Sequence, residues 1–292
     1  MRPVSDGVSQ LKTVMITGVS TGIGKACAVL LAREGFRVYG SVRKPEDGEA
    51  LCREIGERFS YLLMDVTREG EVRQAAESLR IDLSGQGLWG LVNNAGVATG
   101  GPLEFVPVDE VRRQFEVNVV GQVAVTQAFM PLMREARGRI VNIGSVGGLV
   151  STPFQAPYNA SKFALEALTD SLRVELRPWG MQVAIVEPGN IATPIWEKSL
   201  SLYQDLSSRL PPETLEYYGP VLEKLRKHLA KPRDVPPDVV AEAVLHALTA
   251  ERPKTRYLIG DDARSLARLR YLPDRLRDWF IARRVPKYGP DA

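Results

Sequence analysis

Apolar runs of strand length alternate with amphipathic stretches of helical length along most of this chain. The strand-like runs lie at residues 12–17, 36–42, 61–64, 88–92, 138–143, 182–186 and 256–259. Helical spacing is found between them, at residues 23–34, 45–58, 68–83, 108–134, 156–176 and 239–249. This repeated order predicts an α/β fold: a Rossmann-type, doubly wound, mostly parallel seven-stranded sheet with helices on both faces.

Two stretches depart from the alternation. One domain is expected over residues 1–292, which is near the upper size for one core. Residues 190–237 are rich in proline and predict short helices in a mobile excursion over the ligand site, with a plain surface insertion as the alternative. Residues 261–292 predict a C-terminal helical extension. Its mixture of Arg and apolar residues fits a membrane-surface helix, but Asp274 and Asp278 interrupt the positive face and favour a helix packed on protein.

Composition excludes several classes of function. A net charge of +3 does not predict a nucleic-acid-binding face, and two cysteines and two histidines predict neither a disulfide framework nor a protein-held metal. Residues 1–10 lack the apolar run of a secretory signal, and no stretch is long and apolar enough to predict a membrane span. A cytoplasmic location is therefore expected, with peripheral membrane contact of the C-terminal helix left open.

A glycine-rich segment, TGVSTGIG at residues 17–24, follows the first strand and opens the first helix. Glycines allow a tight turn and let phosphate approach backbone N–H groups, and the helix N-terminus contributes about half a positive charge. The segment predicts a dinucleotide pyrophosphate site, although its spacing is not GxGxxG and an ordinary turn is the alternative. The candidate cofactor-binding residues here are Gly18, Ser20, Thr21, Gly22, Ile23 and Gly24.

The residues at the ends of the next strands indicate which dinucleotide is bound. NAD-specific folds place an acid at the end of the second strand, whereas this chain has Arg43 and Lys44 there. These cations favour the 2′-phosphate of NADP(H) over NAD(H), unless they are only solvated turn residues. Two further sets of candidates follow the next strands. After the third strand, Asp65 and Val66 would border the adenine. After the fourth strand, small residues would let a ligand approach the backbone at Asn94, Ala95 and Gly96.

Tyr158 and Lys162 lie four residues apart on a predicted helix and so share one of its faces. Ser145 follows the fifth strand, and Asn118 lies in the helix before that strand. A free tyrosine has a pKa of about 10, so a base at neutral pH needs the pKa lowered by ~3 units, which a neighbouring ammonium and a positive nicotinamide ring would favour. The pair alone is common, but its combination with Ser145 and the glycine loop predicts acid–base chemistry.

Taken together, these motifs resemble the short-chain dehydrogenase/reductase family. Residues 17–24 match its TGxxxGIG, residues 93–96 its NNAG, residues 158–162 its YxxxK, and residues 188–194 its PG loop. The resemblance is greatest to single-domain, NADP-preferring members that act on hydroxysteroids or retinoids. It implies that the PG loop binds the nicotinamide end of the cofactor through Pro188, Gly189, Ile191 and Thr193.

The resemblance also implies a role for each catalytic candidate. Tyr158 would be the general acid/base, and Ser145 would hold the substrate oxygen. Lys162 would hold the nicotinamide ribose and lower the pKa of Tyr158, and Asn118 would position a water that relays protons to Lys162. The implied function is an NADP(H)-dependent oxidoreductase that interconverts a ketone or aldehyde and an alcohol on a steroid-, retinoid- or lipid-like small molecule.

Some alternatives remain open at this point. A catalytically inactive, NADP(H)-binding regulator is disfavoured because all four catalytic positions are present. The aromatic residues that could line an apolar pocket, or equally belong to its rim or the core, are Phe154, Trp196, Tyr203, Tyr217 and Tyr218. The two long helices at residues 108–134 and 156–176 resemble those that pair across a two-fold axis in relatives, which implies a homodimer or homotetramer.

Overall fold

The computed structural model describes residues 11–209, 211–286 and 288. Its single described sheet has the strand order β3-β2-β1-β4-β5-β6-β7, and every neighbouring pair is parallel. The strands are β1 (Thr13–Ile16), β2 (Arg37–Val42), β3 (Phe59–Leu63), β4 (Gly90–Asn93), β5 (Arg139–Ile143), β6 (Gln182–Pro188) and β7 (Arg256–Ile259). The predicted fold class is confirmed. The extent of a single domain over residues 1–292 stays a prediction, and residues 1–10 lie outside the described part.

Both faces of the sheet are covered by helices, which explains why its strands are almost continuously apolar. In β1, Val14 and Ile16 point into one apolar cluster, whereas Met15 between them points into a second cluster on the opposite face. The helices are α1 (Gly22–Arg33), α2 (Pro45–Ile55), α3 (Glu69–Leu83), α4 (Val108–Phe115), α5 (Gly121–Ala136), α6 (Ala156–Glu175), α7 (Ile195–Arg209), α8 (Glu213–Leu229), α9 (Asp238–Thr249), α10 (Asp261–Ala267) and α11 (Asp274–Ala282).

Two helical predictions need correction. The helix expected over residues 108–134 contains a π-helical turn, Glu116–Val120, between α4 and α5. The short helices expected in the proline-rich excursion are two long ones, α7 with 15 residues and α8 with 17. Helix α8 even continues through Pro220, because burial of the apolar side chains that follow it, Val221 and Leu222, offsets the missing hydrogen bond.

The C-terminal extension packs on its own domain. Ala263 and Ala267 of α10 are buried in a small apolar cluster with Val146. In α11, Ile281 is buried, whereas Trp279 and Phe280 remain 49% and 41% exposed. The expected packing on protein is thus found for α10, and the aromatic face of α11 is partly open. Within the described residues, no helix has the length and apolar character needed to cross a membrane.

Candidate active site

A cavity of about 820 Å³ opens at the carboxyl ends of the strands. Because β2 and β4 lie on opposite sides of β1, the loops that leave β1 and β4 diverge there, which is where ligands bind in open α/β sheets. The predicted residues that line the cavity are Gly18, Ser20, Thr21, Gly22, Ile23, Arg43, Asp65, Val66, Asn94, Ala95, Gly96, Ser145, Tyr158, Lys162, Pro188, Gly189, Ile191 and Thr193. Gly24, Lys44 and Asn118 are not on its wall.

The glycine loop has the shape that a dinucleotide phosphate site requires. Gly18 and Gly22 have φ angles of +70° and +62°, which side-chain-bearing residues rarely adopt. A Cβ at Gly24 would lie 2.3 Å from the Gly18 carbonyl oxygen and 2.5 Å from Asn94 Nδ2. Gly24 therefore supports the loop from behind rather than facing the ligand, and the cradle fits a pyrophosphate at the start of α1.

Two hydroxyls that the sequence argument overlooked hold this cradle. Thr17 Oγ1 accepts hydrogen bonds from the backbone N–H groups of Asn94 and Ala95, at 2.9 and 3.0 Å. Ser41 Oγ accepts one from Gly18 N–H, at 3.0 Å. Thr17 follows β1 and Ser41 is the second-last residue of β2, so both lie at the carboxyl ends of buried strands beside the glycine loop, and that position is the signal that could have identified them.

Of the two residues on which the cofactor-selectivity prediction depends, one lines the cavity. The exposed Arg43 lines the cavity directly after β2, and no acidic residue stands at that strand end. Lys44 instead occupies the position before the first turn of α2 and is away from the cavity wall. Asp65 accepts hydrogen bonds from Thr67 N–H and Oγ1–H at 3.0 and 2.8 Å, which orders the loop after β3.

Ser145 and Tyr158 meet at the cavity wall. Ser145 directly follows Gly144 at the end of β5, and its Oγ accepts a hydrogen bond from Gly147 N–H at 3.1 Å. The Tyr158 ring lies beside this hydroxyl, since a Cβ placed on Gly147 would lie 3.3 Å from Tyr158 Cε1 and 3.4 Å from Ser145 Oγ. Burial raises the pKa of Tyr158, and the neighbouring Ser145 hydroxyl offsets only part of that effect. Two oxygens placed together in this way can hold a substrate carbonyl or hydroxyl.

The expectation that Lys162 and the nicotinamide ring lower the pKa of Tyr158 concerns the enzyme with its cofactor and stays a prediction. Lys162 Nζ lies 5.9 Å from the Tyr158 ring centroid and donates a hydrogen bond to the Ile143 carbonyl at 2.8 Å. Burial lowers the pKa of Lys162 to about 8, and the charge of Glu166 opposes this shift. In the protein without cofactor, desolvation of the phenolate is the largest influence on the pKa of Tyr158.

Asn118 lies in the π-helical turn and is fully buried. Its Oδ1 accepts a hydrogen bond from Val97 N–H at 2.9 Å, and its Nδ2 donates to Val97 O at 3.0 Å and to Ser161 Oγ at 3.1 Å. The Asn118 side chain therefore links the loop after β4 to α6. Its partner on α6, Ser161, directly precedes Lys162. Periodicity alone could not reveal the extra residue in this turn.

The far wall of the cavity comes from α7 and α8. Trp196 lines it and donates a hydrogen bond from Nε1 to the Ile191 carbonyl at 2.7 Å. The Arg233 guanidinium stacks 4.2 Å from the Trp196 ring centroid, and His228 meets the same ring edge-on. Apolar side chains complete this wall at Leu202, Leu225 and Leu229.

Three other aromatic candidates do not line the cavity. Tyr218 packs against Phe105 and Phe154, with ring centroids 6.1 Å apart in both pairs, and against Tyr288 at 5.3 Å. Tyr217 is half exposed. The pocket prediction is therefore correct for Trp196 and wrong for Phe154, Tyr217 and Tyr218, whose rings pack on each other or face solvent. The side chain of Tyr203 lies outside the described ones. Among the described residues, no three His, Cys, Asp or Glu side chains converge as metal ligands.

Comparison with known proteins places this geometry in a family. Residues 12–203 match the family model of the short chain dehydrogenases. The chain is 36% identical over 288 residues to an NADPH-dependent 3-dehydrocapnine reductase from Ornithobacterium rhinotracheale, covering 95% of this chain and 98% of that one. It is 40% identical over 288 residues to retinol dehydrogenase 5 from Homo sapiens, covering 94% and 89%.

Solved structures agree with the sequence relatives. A short-chain dehydrogenase from Streptomyces avermitilis superposes with a TM-score of 0.76 at 29% identity, covering 94% of this chain and 98% of the other. One from Burkholderia cenocepacia, in complex with NADP, gives 0.72 at 26% identity, covering 95% and 98%. The two sequence relatives bear the names of a reductase and a dehydrogenase, and nothing supports the alternative of an inactive regulator. This chain therefore belongs to the short-chain dehydrogenase family, and it is an oxidoreductase that uses a nicotinamide dinucleotide.

Proposed function

We propose that this enzyme interconverts a ketone or aldehyde and an alcohol with NADP(H), using Tyr158 as its general acid/base. The observation that carries the proposal is the placement of Tyr158 and Ser145 side by side on the wall of the cavity that also contains the glycine loop. A phenol and a hydroxyl beside a dinucleotide site have the chemistry to exchange a proton with a carbonyl oxygen.

Selectivity for NADP(H) is assigned to Arg43. Its guanidinium can bind a 2′-phosphate through two parallel hydrogen bonds, and the end of β2 lacks the carboxylate that would bind a free ribose hydroxyl. A structural neighbour in complex with NADP and an NADPH-dependent relative favour the same choice. The pyrophosphate would be held by the N–H groups at the start of α1, and the nicotinamide end by the PG loop, including Thr193.

When bound, the cofactor donates hydride to the carbonyl carbon or accepts it from the alcohol carbon. In the reductive direction Tyr158 gives its proton to the substrate oxygen, and in the oxidative direction it takes the proton back. Ser145 donates a hydrogen bond to the same oxygen and stabilises its developing charge. Lys162 holds the nicotinamide ribose and supplies positive charge, while Asn118 fixes the adjoining loop and positions a proton-relaying water.

An apolar substrate fits the wall opposite the catalytic residues. Trp196, Leu202 and Leu225 face the cavity from α7 and α8, and Val97 and Val146 face it from the sheet side. Relatives named retinol dehydrogenase and 17-beta-hydroxysteroid dehydrogenase act on bulky apolar molecules of this kind. A steroid-, retinoid- or lipid-like carbonyl compound is therefore the proposed substrate class.

The test is a panel of steroid, retinoid and long-chain ketones or aldehydes, assayed with NADPH and NADH in parallel. Turnover with NADPH is expected, and Tyr158→Phe should lower kcat by about 10²–10⁴-fold because the proton donor is removed. The variant should still bind NADPH, measured by the fluorescence of the bound nucleotide. Equal turnover by the Phe variant would refute the assignment of Tyr158.

Assembly and location stay predictions. Val120 and Phe163 are 49% and 42% exposed on the two helices that the family resemblance pairs across a two-fold axis. A homodimer or homotetramer that covers them is proposed, and sedimentation of the purified protein tests it. A cytoplasmic location is proposed as well, to be checked by fractionating cells that express the chain.

A further inference from the structure

A buried group of charges lies directly behind Lys162. Glu166, one turn further along α6, is only 6% exposed, and Glu187 of β6 is completely buried. Arg256 of β7 is placed between them, with its Nη2 at 3.0 Å from Glu166 and its Nε at 3.3 Å from Glu187. None of these three residues lines the cavity, and the proposed mechanism does not use them.

Three carboxylates of this group, those of Glu166, Glu187 and Asp170, lie around the single guanidinium of Arg256. Asp170 also binds Arg256, at 2.8 Å, but it has a second partner in Arg173. Although burial opposes them, the hydrogen bonds from these arginines lower the pKa of Asp170, which therefore stays ionised. The charge of Arg256 acts on both Glu166 and Glu187, and that of Arg270 acts on Glu187. Two buried carboxylates that share one guanidinium cannot both keep a full charge at neutral pH.

Glu166 is directed toward the catalytic residues. Its Oε1 is buried and has no hydrogen-bond donor among the described residues. A Cβ placed on Gly144 would lie 3.3 Å from that atom, so Oε1 faces the chain between Ile143 and Ser145. Ile143 is the residue whose carbonyl binds Lys162. Glu166 is thus the buried carboxylate whose charge acts on the Lys162 ammonium, and Glu187 is joined to it through Arg256.

We propose that Glu166 and Glu187 hold one proton between them, and that Glu166 is a positioning residue whose share of the remaining negative charge keeps Lys162 an ammonium. This inference rests on the proposed function, since Lys162 matters to turnover only if Tyr158 is the acid/base. Moving the proton toward Glu187 exposes Lys162 to more negative charge, and moving it toward Glu166 exposes it to less. Burial raises the pKa of both carboxyls, that of Glu187 to about 8, in agreement with a shared proton.

Two matched substitutions give opposite results. Glu166→Gln leaves the charge on the more distant Glu187 and should lower the pKa of Lys162 by about half a unit or more. Glu187→Gln leaves the full charge on Glu166 and should raise the pKa of Lys162 by a similar amount. Glu166→Asp, which keeps a carboxyl at this position, should give a pKa of Lys162 closer to the wild-type value than Glu166→Gln does. Glu175→Gln, an exposed glutamate on the same helix, is the control and should change nothing.

The measurement is an NMR pH titration of full-length protein labelled with ¹³C at lysine Cε, with Lys162→Arg identifying the Lys162 signal. It needs no turnover, so a negative activity screen would not affect it. In the pH profile of kcat/KM, the pKa of the alkaline limb should fall in Glu166→Gln and rise in Glu187→Gln. Infrared spectra of wild-type protein at neutral pH should show the carbonyl stretch of a protonated carboxyl, even if a variant fails to fold. Shifts of one sign in both Gln variants, or no protonated carboxyl in the wild type, would overturn the proposal.

Discussion

The two halves of the cavity are built by different means. On the cofactor half, the backbone itself forms the site, with glycines at positive φ and with N–H groups fixed by Thr17 and Ser41. On the substrate half, α7 and α8 are held by side-chain stacks such as Arg233 on Trp196. Backbone sites tolerate few residues, whereas many combinations of side chains can form a stack. Adding or removing a single atom should therefore change binding strongly on the cofactor half, whereas substitutions on the substrate half should change binding gradually.

The largest effect should come from Gly24→Ala. The new methyl would meet the Gly18 carbonyl at 2.3 Å, so the loop must move. Overpacking of this kind costs about 1–3 kcal/mol, which would weaken binding of either dinucleotide by up to about 100-fold. Fluorescence titration with NADPH and NADH measures it. The control is Gly70→Ala, where nothing lies within 4 Å; if it weakened binding equally, the backbone argument would fail.

Arg43→Ala should separate the two cofactors. Losing a charge-assisted contact worth about 1.5–3 kcal/mol should weaken NADPH binding by about 10–100-fold, while NADH binding changes little. The ratio of kcat/KM for the two cofactors is the measurement. Lys44→Ala is the natural comparison, because that side chain is away from the cavity. An unchanged ratio in Arg43→Ala would remove the basis for NADP(H) selectivity.

Tyr218→Leu tests the substrate half. It removes the ring that packs on Phe105, Phe154 and Tyr288 and so loosens α8 over the cavity. With about 0.5–1.5 kcal/mol for each aromatic pair, KM for the carbonyl substrate should rise about tenfold while dinucleotide affinity stays constant. Tyr217→Leu, at a half-exposed neighbour, should leave both constants unchanged. A loss of dinucleotide affinity would show that the two halves are not independent.

The smallest effect is a pH dependence of folding stability. It comes from Glu187, in the region between the two halves of the cavity. Glu187 has its pKa raised by burial, from 4.5 to about 8, so the folded protein keeps a proton that the unfolded chain releases in that window. Stability should therefore fall as pH rises from about 5 to 8, the window between the pKa values of the unfolded and the folded state. Urea midpoints should show a flatter slope in Glu187→Gln and the wild-type slope in Glu175→Gln. Lys162, whose pKa is lowered by burial, acts with the opposite sign above pH 8.

The same contrast explains what the sequence could predict. The strands and the glycine loop were predicted correctly because buried parallel strands and tight turns restrict composition strongly. The length of α8 was not predicted correctly, because Pro220 and the preceding Pro211–Pro212 resemble helix breaks. Tertiary burial overrides that local preference.

The missed site residues show a second limit. Glu187 precedes the PG loop in a buried strand, and its partner Arg256 is 69 residues further along the chain, so no local pattern joins them. Glu166 carried a weak signal, since it lies four residues after Lys162 on the same helix face. The burial that raises the pKa of Tyr158 shows a related limit, because spacing shows which residues are neighbours but not how deeply each is buried.

The proline-rich excursion begins and ends at one place. Ile191 and Val235 form an isolated parallel bridge, and Ala192 N–H donates to the Val235 carbonyl at 2.8 Å. The ends of the excursion are thus fastened together beside the sheet, so its length can vary without altering strand register. A segment anchored in this way can be exchanged as a cassette. Replacing residues 195–232 with the matching stretch of a relative would be a direct route to transplanting substrate preference onto an unchanged nucleotide-binding frame.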